Sequence, residues 1–160
     1  MSFVATARPP VAATEPPVAN DPWFPDMNPE DVRNACRLDG TITPARLLPA
    51  LKAAMLSINA ELEPYRLEQS RLGYACLADV PAPVVGGESA QVLRYQRAVH
   101  ACLQADLAEA YRNLDTLPSG TGKEARVLEA LAVHVDEHRR NQRWAISDLL
   151  GLRRTTVELI

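Results

Sequence analysis

Residues 43–72 read TPARLLPALKAAMLSINAELEPYRLEQSRL, and Leu47, Leu51, Met55, Ile58, Leu62 and Tyr65 recur in them every three or four positions. That spacing lines one face of an α-helix. Thr43-Pro44 opens the stretch as a cap and a first-turn proline should, and Gly73 follows its end. One helix is expected, reaching Leu72 and spanning roughly 43 Å at ~1.5 Å per residue, with Pro64 removing a hydrogen bond and kinking it. A buried stripe of that length needs partner helices.

The flanking sequence supplies them. Asn28-Pro29-Glu30-Asp31 signals a short helix, with a cap, a proline at the first position and acids over the dipole, running to about Leu38 before Gly40. A third helix starts near Glu88-Ser89 with the stripe Val92, Tyr95, Val99, Cys102/Leu103, Leu107, Ala110/Tyr111 and Leu114, and closes at Pro118-Ser119-Gly120. The fourth opens around Thr121 and carries Leu128, Leu131 and Val135, then polar His138 and Gln142, then Ile146 and Leu149 before Gly151. Between the second and third helices, the prolines and paired glycines of Leu77 to Gly87 exclude regular structure. With 24 alanines and eight aromatics, the helices can approach closely. The fold class is all-α, an antiparallel bundle of about four helices. No strand pattern precedes the C-terminus, and no internal repeat is found.

Two tails complete the organisation. Residues 1–25 hold six prolines among alanine, valine and threonine, so they form an extended arm of polyproline character. The arm ends on Trp23-Phe24, an anchor to the body or to a neighbouring subunit. Residues 26–151 are the helical bundle. Residues 152–160 end in Thr155, Thr156, Val157, Glu158, Leu159 and Ile160, a strand-prone apolar tail that either frays or pairs with another chain.

At 160 residues and 47% hydrophobic content, the chain can build one domain-sized core. No run of about 18 apolar residues spans a membrane, and the proline-broken start lacks a signal-peptide core, so a protein made and kept in cytosol, or in something assembled there, is expected. Cys36, Cys76 and Cys102 are an odd, scattered set suited to reduced core thiols. The net charge is −3, yet Arg139, Arg140, Arg143, Arg153 and Arg154 against Asp148 give residues 138–154 +4, so the remainder carries −7. Fifteen of the seventeen cations are arginine, which suits fixed pairing with carboxylates at interfaces.

Two strings imitate catalytic motifs. His134-Val135-Asp136-Glu137-His138 spells H-x-x-E-H, but only Asp148 and Glu158 remain downstream as a third zinc ligand, so a polar helix face is the better account. Ser119-Gly120-Thr121-Gly122-Lys123-Glu124 lacks the first glycine, the hydroxyl after lysine and the preceding strand of a phosphate loop. No nucleophile, base and orienter assemble, and no cofactor or metal is implied. An enzyme is not expected. A sequence-specific DNA reader is disfavoured by an isoelectric point near 5.6 and an acidic remainder.

Phe24-Pro25-Asp26, Pro44-Ala45-Arg46-Leu47, Asn59-Ala60-Glu61-Leu62, Leu77-Ala78-Asp79-Val80-Pro81, Gly87-Glu88-Ser89, Arg97-Ala98-Val99, Tyr111-Arg112, Arg143-Trp144-Ala145 and the closing Val157-x-x-Ile160 follow one another in a specific order. Together they resemble the head-completion proteins of contractile-tailed temperate phages, from residue 24 onward. The resemblance implies a structural virion protein, a head-to-tail connector. Such a protein forms a twelvefold ring of neighbouring copies beneath the portal protein after packaging, holds the DNA-filled head closed, and offers a site to a neck or tail-completion protein. It also implies that Arg153 and Arg154 clamp acidic portal residues while Thr155 to Ile160 add a strand to a portal sheet edge. Trp23, Phe24, Arg139, Arg140 and Arg143 are then candidates for the ring or neck interface. An acidic channel wall would let packaged DNA pass without gripping it. The alternative is a cytosolic helical binding module unrelated to capsids, metal-assisted through His134 and His138.

Overall fold

The computed structural model describes residues 15–38, 42–114 and 123–153, with the backbone alone at 111–114 and 123–133. Its elements are α1 (Pro29–Cys36), α2 (Pro44–Arg71), a 3-10 turn (Leu77–Asp79), strands β1 (Val84–Val85) and β2 (Glu88–Ser89), α3 (Ala90–Leu114) and α4 (Lys123–Leu150). The first fourteen residues of the arm and the tail from Arg154 onward lie outside the described residues, as do Asp39, Gly40 and Thr41.

The expected stripe is the core of α2. Leu47, Leu51, Met55, Ile58 and Leu62 are buried, joined by Ala54, and Tyr65 is half-buried. The helix holds Pro49 and Pro64 in its interior and ends at Arg71. Side-chain bonds fix its neighbours: Asn59 lies opposite Tyr95, and Tyr65 opposite Gln91, so α3 runs antiparallel to α2. Arg139 opposite Asp106 and Leu149 opposite Gln91 set α4 antiparallel to α3. Ala98, Ala101 and Ala105 of α3 and Ala145 of α4 are buried, and side chains this small let long helices come close.

Helix α1 begins as its sequence suggests. The Asn28 side chain accepts from the Glu30 amide at 3.0 Å, and Pro29, Glu30 and Asp31 fill the first turn. It stops sooner than Leu38, because the Leu38 amide turns back to the Arg33 carbonyl at 3.0 Å with Arg37 in the left-handed conformation between them.

The loop from Leu77 to Gly87 departs from expectation by holding regular structure. Leu77 of its 3-10 turn and Val80 just after it are buried, and β1 and β2 form a two-residue antiparallel hairpin, Val84 opposite Ser89 and Val85 opposite Glu88. Gly86 and Gly87 explain it: both take positive φ, 61° and 88°, as a two-residue I′ turn demands. The glycines that break a helix are the ones that make this hairpin.

From Val18 the arm is a strap pinned to the body, one of the two anchorages expected of Trp23-Phe24: the Val18 and Met27 amides each donate to the other's carbonyl, at 2.8 and 3.1 Å. Trp23 and Phe24 between them are 5% and 4% exposed. The Phe24 ring stacks on Tyr95 with centroids 5.1 Å apart, and Trp23 meets Phe24 edge-on at 4.9 Å. A closed ring of hydrogen bonds fastens the strap. The Asn20 amide donates to Tyr95 Oη at 2.8 Å, Tyr95 Oη donates to Asn59 Oδ1 at 2.7 Å, and the Asn59 amide donates to Asn20 Oδ1 at 2.8 Å. Asn20, Asn59 and Tyr95 thereby each have partners on other elements, as burial requires.

Burial of titratable groups sets an alkaline limit. Removal from water pushes the Tyr95 phenol up to about 12 and the Cys36 and Cys102 thiols up to about 11. The unfolded chain releases these protons first, near pH 9 for the thiols and 10 for the phenol, so their neutral forms favour the fold fully below pH 9. That contribution is lost as pH climbs towards 11 and 12. The urea midpoint should be flat from pH 7 to 8.5 and fall steeply above 9, with Tyr95 alone accounting for on the order of 2 kcal/mol at the far end. A midpoint still flat at pH 11 would contradict this account.

Candidate interaction surface

The α4 stripe differs from the expected one in its polar member. Val135, Arg139, Gln142, Ile146 and Leu149 follow the three-four spacing, and Val135, Ile146 and Leu149 are buried. Arg139, not His138, therefore faces α3. Its guanidinium donates to Asp106 Oδ1 at 2.8 Å and to Glu109 Oε1 at 3.2 Å, both on α3, and a second nitrogen lies 3.9 Å from the Cys102 sulfur. This cation is committed to the subunit's own helix seam, where pairing with two carboxylates offsets its partial burial.

The other candidates scatter. Arg140 lies 5.0 Å over the Trp144 ring and 3.8 Å from Glu137, while Arg143 is exposed. Trp23 and Phe24 are core residues, so neither ring leaves much surface for a neighbour. His134 is exposed and 4.0 Å from Glu137, and partial burial pushes the half-buried His138 imidazole below its ordinary value. Among the described residues, no three His, Cys, Asp or Glu side chains gather as a metal site would need. No helix among them is long and apolar enough to cross a membrane. Of the expected tail site, only Arg153 is described, and it is exposed; Arg154, Thr155, Thr156, Val157, Glu158, Leu159 and Ile160 lie outside the described residues.

The root of that tail is well defined. Buried Gln91, at the start of α3, donates through its side-chain amide to the Leu149 carbonyl at 3.2 Å and to Tyr65 Oη at 3.0 Å. A helix's last carbonyls lack partners within the helix, so Gln91 satisfies one of them while tying α4 to α2 and α3. Beyond Leu149 the Leu152 amide returns to the Ser147 carbonyl at 2.8 Å, with Gly151 at φ 69° allowing the reversal. Leu152 and Arg153 then leave the body exposed.

Sequence reasoning passed over Gln91, because Val92 beside it looks like the stripe residue. The spacing from Tyr95 by four positions was the available signal. Asn20 and Asn59 carried a fainter one, polar amides beside apolar runs.

The bundle spends polar side chains on fastening its own elements and leaves Leu152 and Arg153 exposed beyond a fixed helix end. The chain belongs to the family of phage head completion proteins (GPL), whose model matches residues 18–160, beginning at the first buried residue of the strap. It is 40% identical over 149 residues to the head completion/stabilization protein of Escherichia phage P2, which covers 93% of this chain and 86% of that protein. No solved structure matches it. The protein is thus a phage head completion protein, a component of the virion.

Proposed function

We propose that this protein closes the filled head at its portal vertex. Copies form a twelvefold ring beneath the portal after packaging, residues 153–160 of each copy enter the portal, and the ring presents a site to the neck or tail-completion protein. The observation that carries this reading is the root of the tail: α4 is fastened by the Gln91–Leu149 bond and ends in a reversal at Gly151, and Leu152 and Arg153 beyond it are exposed. A segment that departs from a rigid end, rather than from a loose loop, keeps its direction and so loses less entropy when captured.

The sequence of the tail supports pairing. Thr155, Val157 and Leu159 fall on one face of an extended strand, and Thr156, Glu158 and Ile160 on the other. Added to a sheet edge, backbone bonds supply affinity and alternate side chains supply selection. Arg153 and Arg154 meet acidic residues at the entry. The net negative charge of the remaining chain suits a channel that DNA traverses without being held.

Imaging of intact particles tests this. A ring of this chain is expected at the head–tail joint with its C-termini inside the portal. A joint built without this polypeptide, or a hexapeptide lying back on its own subunit, would refute it.

A further inference from the structure

Six large apolar side chains stand well exposed among the described residues: Leu56, Leu67, Leu72, Val84, Val85 and Leu152. Five of them share one end of the bundle. The layer of Tyr65, Gln91 and Leu149 locates that end: Leu67 and Leu72 follow Tyr65 along the chain, the hairpin precedes Gln91, and Leu152 follows Leu149. Ser89, the last strand residue, accepts from the Gln91 amide at 3.3 Å, so the foot of the hairpin stands beside the root of the tail.

The hairpin itself is unusual in its exposure. Successive strand residues point to opposite faces, yet Val84 and Val85 are 69% and 61% exposed, so neither face of the ribbon is covered. No third strand pairs with it among the described residues. Two valines at the tip of a short ribbon contribute little to a core they do not touch, and clustered exposed apolar residues mark contact surfaces.

We infer that this apolar end, centred on the Val84–Val85 hairpin, is a second contact with the same protein that receives the tail, so that docking is bipartite. The inference rests on the reading of the tail given above. What selects this occupant is continuity. Leu152, 59% exposed, belongs to the apolar patch and is also where the tail leaves the body. Seven residues, 154–160, reach at most ~23 Å at ~3.3 Å each, so a receptor that holds them has to come within that distance of this end. Leu72, 66% exposed, and the hairpin lie at the same end and would be covered as the receptor closes on the root. The tail then confers strand pairing and the hairpin confers an apolar anchor, and linking the two makes the second contact intramolecular.

The test uses the full chain carrying Val84→Ser together with Val85→Ser, added to DNA-filled heads that lack this protein. Bound protein is measured by co-sedimentation, beside the wild-type chain and a chain ending at Arg154. The double variant should bind at least 10-fold more weakly, with an unchanged melting temperature and unchanged sedimentation of the free protein. Wild-type binding by the double variant overturns the inference. So does a loss of binding accompanied by weakened self-association, which would assign the hairpin to contacts between copies. The chain ending at Arg154 separates the two readings. If it fails while the serine pair binds, the tail reading stands and the hairpin contact falls; if it binds while the serine pair fails, the tail reading falls and bipartite docking falls with it.

Discussion

A chain ending at Arg154 should fold as the full-length protein does and fail to complete heads. Folding should be spared because every described core residue precedes Leu150, the α4 end is closed by Gln91 and by the Leu152 amide, and all of these remain in the shortened chain. The melting temperature is therefore expected to stay within about 1 °C of the full chain. Binding should suffer far more. The deletion removes the backbone groups of six residues that would pair with a sheet edge, along with Val157, Leu159 and Ile160. Each 1.4 kcal/mol is tenfold in affinity, and burying two such side chains with a few net hydrogen bonds is worth about 4 kcal/mol. A roughly thousandfold loss in affinity for the filled head follows, and with it a loss of stable, tail-competent heads. Complementation of a phage lacking this protein reads it directly, and full-level rescue by the shortened chain would end the insertion mechanism.

Trp23→Ala should be the most damaging single change to the fold. The indole is buried between Phe24 and Tyr65, with centroids 4.9 and 6.3 Å away, and its Nε1 donates to the Tyr74 carbonyl at 3.3 Å. The Leu77 amide in turn donates to the Trp23 carbonyl at 2.8 Å, so the strap and the loop that leads to the hairpin meet here. Truncation removes the ring, leaves a cavity and strips the Tyr74 carbonyl of its partner, at a cost of about 3–5 kcal/mol. For a chain of this size that lowers the melting temperature by roughly 10 °C. Calorimetry of the free protein also decides what the anchor is for. An indole that served a neighbouring subunit would leave the free protein's midpoint unchanged, and that outcome would contradict the burial described above.

How much of this was legible in the sequence depends on the range of the interaction. The α2 face is readable in outline, because a 3.6-residue period needs no knowledge of what it packs against, and Leu47, Leu51, Met55, Ile58 and Leu62 are buried as the spacing requires. Elements set by distant polar partners were not readable. Asn20 and Tyr95 are 75 positions apart, Gln91 and Leu149 58, and Cys102 and Arg139 37, and no local pattern announces such pairs. Arg139 is an interface candidate by residue type, yet its spacing from Val135 and Ile146 places it on the stripe, where two acids on the facing helix make it tolerable. The hairpin was missed because strands of two residues carry no alternation to detect. Of the candidate contact surface, the tail is proposed from its composition, whereas the apolar end around its root depends on which helix ends lie side by side.

The bond between Gln91 and Leu149 also decides how the molecule would bear load. Tension on the residues beyond Arg153 enters the body at the last carbonyls of α4, where the side chain of Gln91 is attached, and Gln91 passes it to Tyr65 on α2 as well as into α3. A pull that would otherwise peel one helix from its end is thereby shared across three, and that sharing resists unzipping better than any one of them could.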